Sequence, residues 1–195
     1  MNEESFKILP ADVFNEIGKS ALNKIFICED SLDKPFNPLV EYRGIIYEYP
    51  WVITPPLRDI IFKVAQLMGD KGFFVSIITN PYQEDPKNDY RWYIPFSEKW
   101  RYPDLIWGPL ANYVFSPTGK WGIMLDFEVS LIGGDMNFFR LVNNDFPIIE
   151  SQVYDYLLFW KEEEKQGHPI NWIPSLLQHV YGEKKATIIL QEVGL

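Results

Sequence analysis

Two carboxylates stand two residues apart in the best-patterned stretch of this chain, Ser116 to Gly134, SPTGKWGIMLDFEVSLIGG. Read as one strand from Trp121, its odd positions Trp121, Ile123, Leu125, Phe127, Val129 and Leu131 are all apolar. Its even positions Gly122, Met124, Asp126, Glu128 and Ser130 are mostly small or polar. Asp126 and Glu128 would then share a face, roughly 7 Å apart by strand geometry. A carboxylate pair at such a distance suits glycoside hydrolysis, one giving a proton and the other serving as nucleophile or base. The same pair would equally meet a basic partner, and a sheet with one wet face carries acids there for solubility alone. Each reading needs a strand whose polar side looks away from the core.

Other chemistry finds parts without an arrangement. Cys28 is the single cysteine, and His168 and His179 are the two histidines, so no zinc spacing is met. Glu84, Asp85 and Asp89 lack the spacing and central glycine of a calcium loop. Ser116, Ser130 and Ser175 have no evident base, no G-x-S-x-G elbow exists, and Cys28 sits in an apolar run that suits an inert thiol. His179 falls in the last turn of a short predicted helix, where a contact with the helix dipole accounts for it. Gly133-Gly134 alone makes no phosphate loop or dinucleotide fingerprint. The sequence therefore implies no metal, no cofactor and no catalytic set beyond the carboxylate pair.

Aromatic residues make up 16% of the chain, with 7 Trp, 11 Tyr and 14 Phe, unusually many; most are expected in the core, with a surplus at the surface. Trp92, Tyr93, Trp100, Tyr102 and Trp107 gather in a segment of irregular pattern. Such rings either pin that segment to the core or, with acids such as Asp104, form a surface able to clasp lysines and arginines. The candidate partner-contact residues are thus Asp126, Glu128, Trp92, Trp100, Asp104 and Trp107. Exposed tryptophans would alternatively stack on a glycan.

The net charge of −9 disfavours nucleic acid, whose backbone needs lysine and arginine contacts, and favours basic proteins. No apolar run approaches the roughly 20 residues that cross a bilayer. The N-terminus has no apolar signal region, and a lone cysteine fits a reducing compartment, so the expected location is the cytoplasm.

The elements that must position these residues read as one α+β domain over 1–195, a largely antiparallel sheet flanked by helices. Helices are expected over Ala11–Leu22, from Thr54-Pro-Pro to Gly69 or Gly72, from an Asp135 cap to about Asn144, over Ile148–Lys165 and over Pro174–Tyr181. Strands are expected at Lys24–Cys28, Val40–Tyr49, Phe73–Thr79, Tyr90–Pro95 and Asn112–Ser116. The last pairs with Trp121 onward through Pro117-Thr118-Gly119, and Thr187–Leu190 would add a final strand.

From Trp107-Gly-Pro through SPTGKWGIMLDFEVSLIGG to Asp135-Met-Asn-Phe-Phe139, the chain resembles small cytosolic immunity proteins of bacterial polymorphic-toxin systems. In those a hairpin of the form S-P-(S/T)-G-K-W-G-(I/L) continues through an acid to a small-residue turn and an aromatic near a helix start. Where such sequences carry a histidine soon after the acid, this chain has Val129-Ser130. The resemblance, over about residues 107–139, implies a non-catalytic protein that occludes the active site of a toxin. An acidic, aromatic-rich domain suits a toxin with a basic surface.

Overall fold

Thr54-Pro55-Pro56 starts a helix because proline fits the first turn, where backbone N–H groups have no partner. In the computed structural model this helix, α3, runs Pro55–Leu67 and is followed by Gly69 at φ +95°. The structure describes residues 9–27, 34–47, 53–77, 90–99, 112–126, 128–146 and 149–195. Before α3 come α1 (Ala11–Ile17), α2 (Lys19–Ile25) and strand β1 (Tyr42–Ile46). After it come β2 (Gly72–Ile77), β3 (Tyr90–Pro95), β4 (Asn112–Phe115), β5 (Trp121–Leu125) and β6 (Ser130–Gly134). Helices α4 (Met136–Asp145), α5 (Ile149–Lys165), α6 (Ile173–Tyr181) and α7 (Glu183–Val193) complete the chain.

The six strands form one sheet in the order β1-β6-β5-β4-β2-β3, every neighbour antiparallel. The α+β architecture expected from the sequence is thus present. Helices cover both faces. One face carries Ile45, Phe74, Phe115, Met124 and Leu131 into a core with α1, α2, α5, α6 and α7. The other carries Phe73, Val75, Trp92, Trp121, Ile123, Leu125 and Ile132 against α3 and α4.

This two-sided burial overturns the wet face expected of Trp121–Leu131. Gly122 and Met124, on the supposed polar side, are buried like Trp121, Ile123 and Leu125. A Cβ on Gly122 would come within 3 Å of Ile25 and Phe26, so only glycine lets α2 approach the sheet here. The stretch is also two strands rather than one. β5 ends at Leu125, the Asp126 N–H donates to the Val129 carbonyl at 3.0 Å, and β6 returns from Ser130, with Leu125 opposite Ser130. Leu131 therefore faces the opposite core from Leu125; the apparent alternation joined residues of two strands that point opposite ways.

Three further expectations change. Ala11–Leu22 is not one helix: α1 gives way to α2 at Gly18, where an added Cβ would meet the Phe14 ring at 2.5 Å. The β-prone Lys24–Cys28 begins as the end of α2, and Phe26 makes an isolated bridge to Phe36; Cys28 lies outside the described residues. Thr187–Leu190 is helical, because Ala186, Ile189 and Val193 recur at helical spacing and bury one side of α7. Asp135 does cap α4, its side chain accepting from Phe138 N at 2.7 Å.

The SPTGKW hairpin has an internal logic. Thr118 N donates to Ser116 Oγ at 3.0 Å, and the Ser116 and Thr118 hydroxyls are 2.7 Å apart. Thr118 Oγ1 donates onward to Asp70 at 3.4 Å, and the Trp121 indole N–H reaches the same carboxylate. Ser116 is thereby a structural hydroxyl, fully buried in the turn.

Candidate functional site

The β5–β6 turn is built by Asp126, whose Oδ1 accepts from the Glu128 backbone N–H at 3.2 Å in an Asx-type turn. The two acids therefore sit in a hairpin tip, not along a strand, so the strand geometry from which their separation was read does not apply. Both are part-buried. Burial pushes the Glu128 carboxyl above the usual carboxylate range, and the charge of Asp126 beside it pushes the same way. Among the described residues Glu128 has no salt bridge.

Helix α5 packs along β1 next to this turn. Val153, Tyr156, Leu157 and Trp160 form its inner stripe and Ser151, Tyr154, Asp155, Leu158, Phe159 and Glu162 its outer one. Tyr156 is only 2% exposed, and its hydroxyl has the indole N–H of the buried Trp160 beside it. Burial drives the Tyr156 hydroxyl strongly upward, with Glu128 the next cause; a hydrogen bond with the Trp160 side chain acts in the opposite sense, and Asp126 and Tyr47 add smaller upward contributions. Tyr156 thus lies near the acids of the β5–β6 turn.

Tyr47, just past β1, completes the corner. Its N–H is fixed by Gln152 Oε1 at 2.8 Å, and its ring lies 5.9 Å from that of Tyr156 and 6.0 Å from that of Phe159. Burial and then the charge of Asp155 raise its hydroxyl. The outer surface combines apolar and acidic groups: Leu158 is 52% exposed and Phe159 43%. The lysines of α5 are engaged elsewhere, Lys161 with the Val193 carbonyl at 2.6 Å and Lys165 with Glu162 at 2.6 Å. The corner is acidic and ring-lined.

Of the six residues singled out by sequence, Asp126 and Glu128 come together here. Trp92 is 7% exposed and packs in the core with α3, which places its ring away from any contact surface. Trp100, Asp104 and Trp107 lie outside the described residues, as do Glu84, Asp85 and Asp89. Burial of Trp92 and Trp121 removes two of the rings on which a glycan could stack. Tyr47, Tyr156, Asp155 and Phe159 were missed as site residues. The signal available for the α5 members was Tyr154, Leu158 and Phe159 on the side of a helix opposite its core stripe.

His179 differs from its expected role. Its Nε2 accepts the Phe36 N–H at 3.1 Å, so that nitrogen carries no proton, and the cation at the end of α6 is Arg43, which donates to the His179 carbonyl at 2.6 Å. Among the described residues no three histidine, cysteine or acidic side chains converge to hold a metal ion, and no helix is long and apolar enough to cross a membrane. The chain matches no family model, no curated protein and no solved structure in the comparisons with known proteins.

Proposed function

We propose that this chain is a binding protein of the immunity type, without catalytic activity, which neutralises a toxin by holding its basic surface against the corner formed by the β5–β6 turn, Tyr47 and α5. The observation that carries the reading is Glu128, a part-buried carboxylate beside Asp126 with no salt bridge among the described residues. Such an arrangement costs the free protein stability, and a basic partner would relieve the cost. The net charge of −9 and the resemblance over residues 107–139 support the same reading. The charge would also steer a cationic partner toward this face and speed its association.

Co-expression with the toxic domain encoded next to this gene tests the proposal. The expected result is protection of the cells and a complex that survives gel filtration. Unchanged killing with no complex would refute it.

A further inference from the structure

We infer that the outer face of α5, where it meets α7, docks an amphipathic basic helix of the partner protein. The apolar stripe of that helix sits on Leu158 and Phe159, and its lysines or arginines meet the acids around them. The inference rests on the reading of the chain as a binder of a basic partner and adds the element that the partner must present.

The apolar centre follows from helical spacing. Residues four apart are neighbours on a helix surface, so α5 presents two exposed ridges, Tyr154–Leu158 and Asp155–Phe159. The first borders α7: Tyr154 Oη donates to Glu192 at 2.6 Å, and Lys161 Nζ to the Val193 carbonyl at 2.6 Å. Leu158 stands between these two ties and is still exposed, as is Ile188, one turn back along α7 from Glu192. The second ridge borders Tyr47, whose ring lies 6.0 Å from that of Phe159. Tyr47, Tyr154, Leu158, Phe159 and Ile188 are thus large apolar side chains left open along two adjoining helices and the end of β1. Apolar surface gathered in this way marks a place of association.

Charge decides what covers it. Asp155 lies one turn before Phe159, Glu162 one turn after Leu158, and Glu192 beside Tyr154. A second copy docking by the same face would set these acids against their own kind, and an anionic lipid surface would meet the same repulsion. A basic helix meets them with opposite charge. The lysines of α5 compete little: Lys161 is turned to the Val193 carbonyl, and Lys165 pairs with Glu162 in an exposed bridge that a partner's cation can exchange at small cost. The face offers ridges of side chains and no open backbone edge, so it suits a second helix rather than an added strand.

The test is titration of the full chain with a peptide of about 18 residues, roughly five helical turns, carrying leucines on one stripe and lysines elsewhere. One control scrambles the same residues; the other keeps the stripe and replaces lysine by glutamate. Calorimetry gives the affinity, and the Tyr154 and Phe159 ring signals locate the contact. The expected result is saturable binding of the amphipathic basic peptide, about tenfold tighter than either control. Leu158→Ser combined with Phe159→Ser should weaken it about tenfold, whereas Leu39→Ser, at an exposed leucine elsewhere, should leave it unchanged. Asp155→Lys combined with Glu162→Lys keeps the apolar centre and should weaken it comparably, which gives a second measure if the serine pair loses its fold. Equal binding of the scrambled peptide, or binding indifferent to both double variants, would overturn the inference. So would a dimer in sedimentation that the serine pair dissolves, which would make a second copy the occupant. Peptide binding without toxin neutralisation would instead remove the toxin reading and leave the docking face. Neutralisation undiminished in both double variants would do the reverse.

Discussion

The indole N–H of Trp121 donates to the buried carboxylate of Asp70 at 2.8 Å, tying the β4–β5 hairpin to the turn between α3 and β2. The same ring stacks on Phe138 of α4, with centroids 5.6 Å apart. Trp121→Phe keeps an aromatic ring against Phe138 but leaves the Asp70 carboxylate, among the described residues, with only the long contact from Thr118. We expect a loss of about 2–3 kcal/mol, the cost of stranding a buried charged acceptor. Urea unfolding would measure it, and the loss should shrink in an Asp70→Ala background, as coupled partners require.

Leu125 is fully buried at the end of β5, facing α3 and α4. Leu125→Ala should cost about 2–5 kcal/mol, the range for truncating a core leucine. A change below 1 kcal/mol would mean that the far end of β5 is loosely packed.

Glu128→Gln is expected to stabilise the free protein at neutral pH. The folded state holds the Glu128 carboxyl above its ordinary range, through burial and then Asp126. Its contribution to stability is therefore complete below the unfolded carboxylate value and is lost as pH rises through the raised folded one. The gain from glutamine should be about 0.5 kcal/mol at pH 7, allowing for solvent screening of this part-exposed group. It should vanish in acid, where both states of Glu128 are neutral. Urea midpoints of the two proteins, compared from acid to neutral pH, would test the sign; a destabilised variant at pH 7 would show that Glu128 has a structural role instead.

Arg43 spans three backbone carbonyls: His179 at 2.6 Å and Asn37 and Pro38 at 3.1 Å each. Burial lowers its own proton affinity, so these contacts are made by a partly desolvated cation. Arg43→Ala should cost about 2–3 kcal/mol. Arg43→Lys should recover little, since an ammonium cannot reproduce the fork. Thermal unfolding of the two variants separates these outcomes.

Helix starts and glycine stops were legible because each is a local backbone requirement. Asp135 caps α4, Thr54-Pro-Pro opens α3, and Gly182 follows α6. The Asp126–Val129 turn was not, because it carries no glycine or proline, and Asp126 was its sole cue. Without that turn, parity assigned Leu125 and Leu131 to one face. Covering of the sheet on both sides was equally hidden, since an alternating strand with small residues reads the same whether those residues face water or, as at Gly122, a helix. The pair Asp126 and Glu128 was visible as chemistry; its setting against Tyr47 and Tyr156 depends on contacts across distant parts of the chain.

The outer edge of β1 is closed by side chains from late in the chain: Tyr181 Oη accepts from Ile45 N at 3.2 Å, and Gln152 Oε1 from Tyr47 N at 2.8 Å. Its inner edge pairs only with β6, the last strand. During synthesis, β1 thus leaves the ribosome as the first strand and is the last whose hydrogen bonds can all be made. Until β6 emerges, Ile45 and Ile46 belong to an unpaired apolar segment, and until α5 and α6 emerge its outer edge stays open, a site for a holding chaperone or for misassociation between nascent chains. Pulsed hydrogen exchange during refolding should find the Ile45 and Tyr47 amides among the last to be protected, after those of the β4–β5 hairpin. The completed C-terminal helices then act as the quality check on the first strand made.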